Sequence, residues 1–207
     1  MDTTTLAAFL VVDLLLVFTP GADWAYAISA GVRGRSAVPA AVGLVAGHTV
    51  YALVAVAGLA VIVASSPAAL TALTVAGAAY LLRLGWGVLR QPAAPTTTAA
   101  GEEADASGAQ VMLKGLAISG LNPKALLLYF SLFPQFIDAG RGWPVAAQTG
   151  LLSTVHLASC AVVYLGVGVL ARTVLGTRPS AARFVTRISG AMMIAIGALL
   201  LVERLTG

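Results

Sequence analysis

The chain has 207 residues, of which 59% are apolar and only 10% are charged. Soluble domains usually carry about 25% charged residues, so this chain cannot cover a water-facing surface, although it can face lipid. The formal net charge of +4 does not indicate nucleic-acid binding, because the basic residues lie between apolar runs and not in one patch. The composition predicts a membrane protein.

Six apolar segments are long enough to cross a bilayer core of about 30 Å, which takes roughly 20 helical residues. They are Leu6–Val32, Val38–Val63, Ala68–Leu89, Val111–Ile137, Val145–Ala171 and Phe184–Val202. The first segment is predicted to be a permanent helix because no basic region precedes it. The predicted fold class is an all-α membrane protein with six transmembrane helices.

A polar stretch divides these spans into two halves. Residues 91–110 are rich in Pro, Thr, Ala and acidic residues, which predicts a flexible cytoplasmic linker. Residues 1–90 and 111–207 then form two three-helix repeats, and the odd number of spans in each requires the second repeat to be inverted. Similar short motifs support this duplication: Thr19-Pro20-Gly21 with Asn122-Pro123-Lys124, and His48 with His156.

Basic residues are concentrated on one side of the predicted membrane. Eight Lys and Arg residues flank the first, third and fifth connections, whereas Arg141 and Arg204 fall on the other side. Cytoplasmic loops carry the excess of basic residues. The Arg-rich loops are therefore predicted to be cytoplasmic and both termini outside.

A proline interrupts the first span of each half. Proline removes a backbone donor and disrupts the preceding turn, so a helix tends to end and restart there. Thr19 and Asn122 are suitable N-cap residues, and Pro20 and Pro123 suit the first helical position. Broken helices at matching places in two halves indicate a transporter binding site. Ordinary proline kinks are the alternative.

The half-helices that follow these breaks suit a carboxylate, because their N-termini present free N–H groups and a positive dipole. The substrate-binding residues predicted at the two breaks are Thr19, Pro20, Gly21, Asp23, Asn122, Pro123 and Lys124. Alternating access would come from rocking of one half against the other. Within the second span, Gly43-xxx-Gly47 predicts a close helix contact inside the chain.

Ionisable residues inside apolar spans cost about 2.5–3.5 kcal/mol each on insertion scales, so each needs a reason. Asp23 can bind a substrate ammonium or carry a proton, or it can merely stabilise a helix N-terminus. Lys124 can hold a carboxylate or pair with Asp23. The proton-coupling candidates are Asp13, Asp23, His48 and His156, and for the histidines a buried hydrogen-bonding role is the alternative.

These motifs resemble the LysE/Rht family of amino-acid exporters. The matching residues are Thr19-Pro20-Gly21-Ala22-Asp23, Gly77–Leu82 with Gly85, Gly115-Leu116, Asn122-Pro123-Lys124-Ala125 and Phe133–Ile137. Ala22 is a difference, because the family typically reads Pro-Gly-Pro there. The resemblance implies secondary export of amino acids or derivatives, driven by protons or the membrane potential.

Two other classes compete with an exporter of amino acids or of another small solute. An intramembrane enzyme would need a nucleophile and base, or a metal, at one depth. A dedicated metal site is not expected, because the chain has two His and the single Cys160, and no cofactor or catalytic residue is predicted. A scaffold would gain nothing from two broken helices. The sequence leaves open the substrate, the coupling ion and the oligomeric state, a homo-oligomer included.

Overall fold

The computed structural model describes residues 1–32, 37–65, 67–90, 107–138, 140 and 142–171, and separate positions between 187 and 202. Every regular element within these residues is helical. The predicted all-α class is therefore confirmed for the described part of the chain.

The helices follow one another along the chain with short breaks. They are α1 (Thr3–Val17), α2 (Ala22–Val32), α3 (Ala37–Ser65), α4 (Pro67–Arg90), α5 (Gly108–Gly120), α6 (Pro123–Leu127) and α7 (Val145–Leu170). A π-helical turn, Leu128–Leu132, and a 3₁₀ turn, Phe133–Phe136, continue α6. The elements match the first five predicted spans in order.

Two of these helices, α3 and α7, are each long and apolar enough to cross a membrane alone. Two bent pairs also meet the requirement when each counts as one broken span: α1 with α2, bent by 61°, and α5 with Lys124–Phe136, bent by 53°. The described residues thus contain two to four candidate spans. The predicted sixth span, Phe184–Val202, is described only at separate positions, and the six-span inverted repeat remains a prediction.

Helix α5 begins within the last residues of the predicted linker. Residues 91–106 lie outside the described part, but Ser107 and Gln110 already form the start of α5. The Ser107 hydroxyl accepts a hydrogen bond from the Gln110 backbone N–H at 3.3 Å, and the Gln110 side chain accepts one from the Ser107 N–H at 2.7 Å. This reciprocal capping box starts a helix at Gly108, within the last residues of the predicted linker.

Helix α3 packs closely against α5, across the boundary between the predicted halves. A Cβ added to Gly43 would collide with the backbone of Met112, and one added to Gly47 would collide with the backbone of Gly120. Gly115 of α5 is similarly close to the α3 backbone. The predicted contact at Gly43-xxx-Gly47 is confirmed, and it fixes α5 relative to α3.

Candidate functional site

The first helix break lies between Val17 and Ala22. Thr19 is fully buried there, and its hydroxyl donates to the carbonyl of Leu15 at 2.7 Å. Thr19 is therefore not the N-cap that the sequence predicted, because its hydroxyl satisfies a carbonyl of the preceding helix instead. Pro20 is also not the first helical residue, since α2 begins at Ala22.

Side chains from elsewhere close this first break. The Lys124 ammonium donates to the carbonyls of Leu16 at 2.7 Å and of Thr19 at 2.8 Å. The Trp24 indole N–H donates to the carbonyl of Val17 at 2.8 Å. The last carbonyls of a helix lack partners within that helix, and its C-terminus favours a cation. Lys124 thus contacts the end of α1 through two main-chain oxygens.

The second break follows the sequence prediction. Asn122 is the N-cap of α6, its side-chain oxygen accepts from the Lys124 backbone N–H at 3.0 Å, and Pro123 occupies the first helical position. The amide of Asn122 also donates to Oδ2 of Asp23 at 3.2 Å. Asn122 therefore caps one half-helix while it contacts the first turn of the other.

All four predicted proton-coupling residues meet in one hydrogen-bonded chain. Oδ1 of Asp13 lies 2.6 Å from Nδ1 of His156. Nε2 of His156 lies 3.1 Å from Nδ1 of His48, and Nε2 of His48 lies 3.3 Å from Oδ2 of Asp23. None of the four residues is more than 5% exposed. The structure brings together groups from α1, α7, α3 and α2.

Tyr164 joins this chain, although the sequence analysis did not select it. Its hydroxyl donates to Oδ2 of Asp23 at 3.0 Å and lies 3.3 Å from Nε2 of His48. The available signal was spacing, since His156, Cys160 and Tyr164 follow one another at intervals of four residues and so share one face of α7. The polar residues on that face could have identified it as the face of the site.

The two carboxylates each have one oxygen without a hydrogen-bond partner among the described residues. These atoms are Oδ2 of Asp13 and Oδ1 of Asp23, and both are buried. Oδ2 of Asp23, in contrast, has three neighbours, in Asn122, Tyr164 and His48. Asp23 therefore has one oxygen fixed by the protein and one oxygen available to a ligand.

A small cavity lies beside this network. Its volume is about 10 Å³, which is room for roughly one water molecule. Asp23, Asn122 and Lys124 line it among the predicted substrate-binding residues, whereas Pro20 and Gly21 do not. The polar lining is completed by His48, His156 and Tyr164, and the apolar lining consists of Leu16, Val17, Ala125 and Leu128.

Sequence comparison agrees that the chain is a membrane protein. The family model described as LysE type translocator matches residues 14–204. The chain therefore belongs to the LysE type translocator family, and the resemblance seen in its motifs is confirmed.

Several relatives extend along most of the chain. A membrane protein of Vibrio cholerae is 32% identical over 206 residues, which covers 97% of this chain and 98% of the relative. A leucine efflux protein of Klebsiella pneumoniae is 32% identical and covers 73% of this chain and 72% of its own. A leucine efflux protein of Salmonella choleraesuis is 29% identical, with coverage of 92% and 91%. No solved structure is significantly similar to the chain.

These relationships define the protein as a multi-pass membrane protein of an amino-acid exporter family. The family consists of translocators, so a transporter and not an enzyme is the class that the comparison supports.

Proposed function

We propose that the protein exports a neutral aliphatic amino acid of the leucine type from the bacterial cytoplasm, in exchange for protons. The observation that carries this proposal is the buried chain Asp13–His156–His48–Asp23, which lies directly beside the two broken helices. The names of the leucine efflux relatives support the substrate class. The proton step and the binding step are argued separately below.

The hydrogen-bonded chain has a place for one exchangeable proton. Its three bonds need three protons, whereas two neutral imidazoles supply only two, and ionised carboxylates supply none. A third proton completes the bond between His48 and Asp23. Without it, the Tyr164 hydroxyl can donate to Nε2 of His48 instead, because it lies 3.3 Å from that nitrogen. The site thus has two complete hydrogen-bond patterns that differ by one proton.

The charge of the site favours the same exchange. With both carboxylates ionised, both imidazoles neutral and Lys124 protonated, the cluster carries one net negative charge. Burial strongly penalises an uncompensated charge. Binding of a third proton is therefore favoured, because it makes the cluster neutral. A substrate ammonium at the open oxygen of Asp23 would compensate the same charge. Proton and substrate would therefore compete for Asp23, as antiport requires.

The surroundings of the cavity suit an aliphatic amino acid. Asp23 offers its unpartnered oxygen to the ammonium, and the first turns of α2 and α6 offer backbone N–H groups to the carboxylate. Leu16, Val17 and Leu128 line the same cavity and suit an apolar side chain. The roles of Thr19, Pro20, Gly21 and Pro123 would be to shape the two breaks.

Substrate binding requires a wider cavity than the structure has, because about 10 Å³ cannot hold an amino acid. Rigid rocking of the two halves would have to separate the α3–α5 contact, where Gly43 and Gly47 bring backbones together. We therefore favour movement of the half-helices α1 and α6 over a fixed α3–α5 unit. Six spans in an inverted repeat remain the proposed framework.

The proposed orientation places both termini outside the cytoplasmic membrane and the Arg-rich loops inside. Cys160 is the single cysteine and is buried, so a cysteine introduced at Thr3 can be labelled without background from the surface. An impermeant maleimide should label Thr3→Cys in intact spheroplasts and should label Arg90→Cys only after lysis. The opposite pattern would reverse the orientation.

Efflux from proteoliposomes tests the function. Vesicles with the purified full chain are loaded with leucine, lysine, threonine and aspartate, and a pH gradient is imposed. We expect selective efflux of leucine in the wild type and none in Asp23→Asn. Asp2→Asn is the matched control, since Asp2 caps α1 at the surface and asparagine caps equally well. Equal efflux in Asp23→Asn would contradict the role of Asp23.

One observation favours a second candidate, an intramembrane hydrolase. Sγ of Cys160 lies 3.4 Å from Nε2 of His156, and Nδ1 of that ring contacts Asp13, which is the order of a nucleophile, base and orienting acid. The thiol is fully buried, however, and a reactive thiol must be accessible. Full export by Cys160→Ala would dismiss this candidate.

A further inference from the structure

Cys160 has no part in the proposed transport cycle, yet it lies among the imidazoles. Its sulfur is 3.4 Å from Nε2 of His156, one helical turn earlier on α7. The same nitrogen is 3.1 Å from Nδ1 of His48. One donor atom from each of these three buried side chains lies within 4.8 Å of the other two.

These separations are close to those of ligands around one tetrahedral metal ion. With metal–nitrogen bonds of about 2.0 Å and metal–sulfur bonds of about 2.3 Å, neighbouring ligand atoms are roughly 3.3 Å apart for two nitrogens and 3.6 Å for nitrogen and sulfur. The structure has 3.1 Å and 3.4 Å for two of the three pairs. The third pair, His48 with Cys160, lies within 4.8 Å and would have to come closer by about 1 Å to reach the nitrogen–sulfur spacing. Small side-chain adjustments would therefore bring His48, His156 and Cys160 to bonding distance of one ion.

Both imidazoles are also oriented as metal ligands usually are. A ligating histidine generally donates its other ring N–H to a carboxylate or carbonyl, which fixes the ring. Here Nδ1 of His156 contacts Asp13 at 2.6 Å, and Nε2 of His48 contacts Asp23 at 3.3 Å. Each ring thus has a carboxylate on one nitrogen, while the other nitrogen faces the second ring. Cys160 lies beside this nitrogen of His156.

The charges favour a divalent cation. A thiolate at Cys160 together with Asp13 and Asp23 supplies three negative charges, and Lys124 supplies one positive charge. A divalent ion makes the buried group neutral, so the cost of burying an unpaired charge is avoided. A sulfur and two nitrogens select soft and borderline ions over Mg²⁺ and Ca²⁺, which need oxygen ligands.

We propose that His48, His156 and Cys160 form a buried binding site for a thiophilic divalent cation such as Cd²⁺ or Zn²⁺. The ion bonds to Nδ1 of His48, Nε2 of His156 and the sulfur of Cys160. The thiol proton leaves to solvent, and the proton of His48 moves to Nε2, where it faces Asp23. This proposal differs from the expectation, drawn from the number of His and Cys residues, that a dedicated metal site is not present.

The binding site does not depend on transport, and its test uses a different measurement. Cd²⁺ is titrated into the purified full chain in detergent, with an affinity tag that contains neither histidine nor cysteine. We expect an ultraviolet thiolate-to-cadmium charge-transfer band that saturates at one ion per chain. Because Cys160 is the only cysteine, such a band reports this residue alone.

Variants distinguish Cd²⁺ binding by three ligands from Cd²⁺ binding by the Cys160 thiol alone. Cys160→Ser should lose the band, and His48→Gln and His156→Gln should each weaken Cd²⁺ binding by at least tenfold. Asp13→Asn, which removes only an orienting carboxylate, should weaken binding about 10- to 100-fold, while Asp2→Asn should bind as the wild type does. Thermal unfolding and size-exclusion elution establish that each variant is folded.

Two results would overturn the proposal. One is the absence of a saturable band in folded wild-type protein. The other is an affinity that stays unchanged in both folded histidine variants, which would mean that the thiol binds Cd²⁺ by itself. Loss of export with metal binding intact would contradict the transport proposal and leave this one standing, so the two failures are distinguishable.

Discussion

The two helix breaks reach similar bends by different means. The second break is closed locally, because Asn122 caps the helix that it begins and Pro123 occupies the first helical position. The first break is closed by groups from a distance, since Lys124, more than one hundred residues later, binds the carbonyls of Leu16 and Thr19. The second break is therefore closed by its own residues, whereas the first break is closed only when the fold brings Lys124 to it.

This difference suggests how the two breaks contribute to transport. A locally capped helix can move as a unit without losing its cap. The first break can open only if Lys124 releases the α1 carbonyls, and Lys124 immediately follows Pro123 of the second break. Movement of α6 is thus connected directly to the end of α1, next to Asp23.

The largest expected effect is loss of the folded protein, and with it of both helix breaks. Gly43→Val should prevent stable folding, because a Cβ at this position would meet the backbone of Met112, which cannot move aside as a flexible side chain would. We expect little folded protein in detergent by size-exclusion chromatography. Gly58→Ala is the matched control, since a Cβ there has no atom within 4 Å. A normally folded Gly43→Val protein would contradict the close α3–α5 contact.

The next effect is on the first break. Lys124→Met removes the ammonium from two buried carbonyls. The Leu16 carbonyl keeps the Thr19 N–H at 3.0 Å, whereas the Thr19 carbonyl loses its side-chain donor, and an unpaired buried group costs about 1–3 kcal/mol. Thermal unfolding should show a larger loss of stability than Asn122→Ala, for which loss of a cap costs about 0.5–2 kcal/mol. Lys124→Arg should recover part of the loss. A greater loss in Asn122→Ala would reverse the assignment of local and distant closure.

A smaller effect is expected on proton exchange, with little change in the stability of the fold. Tyr164→Phe keeps the ring but removes the hydroxyl that lies between Asp23 and His48. Hydrogen bonds within membrane proteins contribute about 0.6 kcal/mol on average, so stability should change little. Export should slow and its optimum along the pH axis should shift, as measured in proteoliposomes across a series of pH values. An unchanged pH profile would remove Tyr164 from the proton pathway.

The smallest effect is expected at Thr19. Thr19→Val preserves the shape of the side chain and loses only the hydrogen bond to Leu15, which should cost about 0.6 kcal/mol without an effect on proton exchange. Thr19→Ser retains the hydroxyl and should unfold at nearly the temperature of the wild type. If Thr19 were an N-cap, Thr19→Asn would be stabilising. An increase in the unfolding temperature for that variant would therefore contradict the observed geometry.

The sequence predicted what depends on local chemistry. Apolar length predicted the long helices, and Asn122-Pro123 predicted the second break with its cap. The N-cap prediction was wrong at Thr19. A threonine can cap the helix that follows it or donate its hydroxyl to a carbonyl of the helix that precedes it, and tertiary packing decides between the two. Ser107 and Gln110 carried a readable capping signal that the composition of the linker obscured.

The candidate site was predictable in its members but not in its connections. The presence of Asp13, Asp23, His48 and His156 inside apolar spans marked them as exceptional. Their order in one hydrogen-bonded chain depends on how α1, α2, α3 and α7 pack, which spacing along the chain does not specify. Tyr164 and Cys160 were missed for another reason, because a tyrosine or cysteine in an apolar span carries no charge that marks it as exceptional.

The most direct test of proton exchange is proton movement that depends on substrate. Proteoliposomes that contain the purified chain and a pH-sensitive dye are loaded with leucine, without an imposed pH gradient. Efflux of leucine down its own gradient should acidify the lumen in the wild type, and the signal should vanish in Asp23→Asn and persist in Asp2→Asn. Leucine efflux without any change of internal pH would contradict the exchange of substrate for a proton at Asp23.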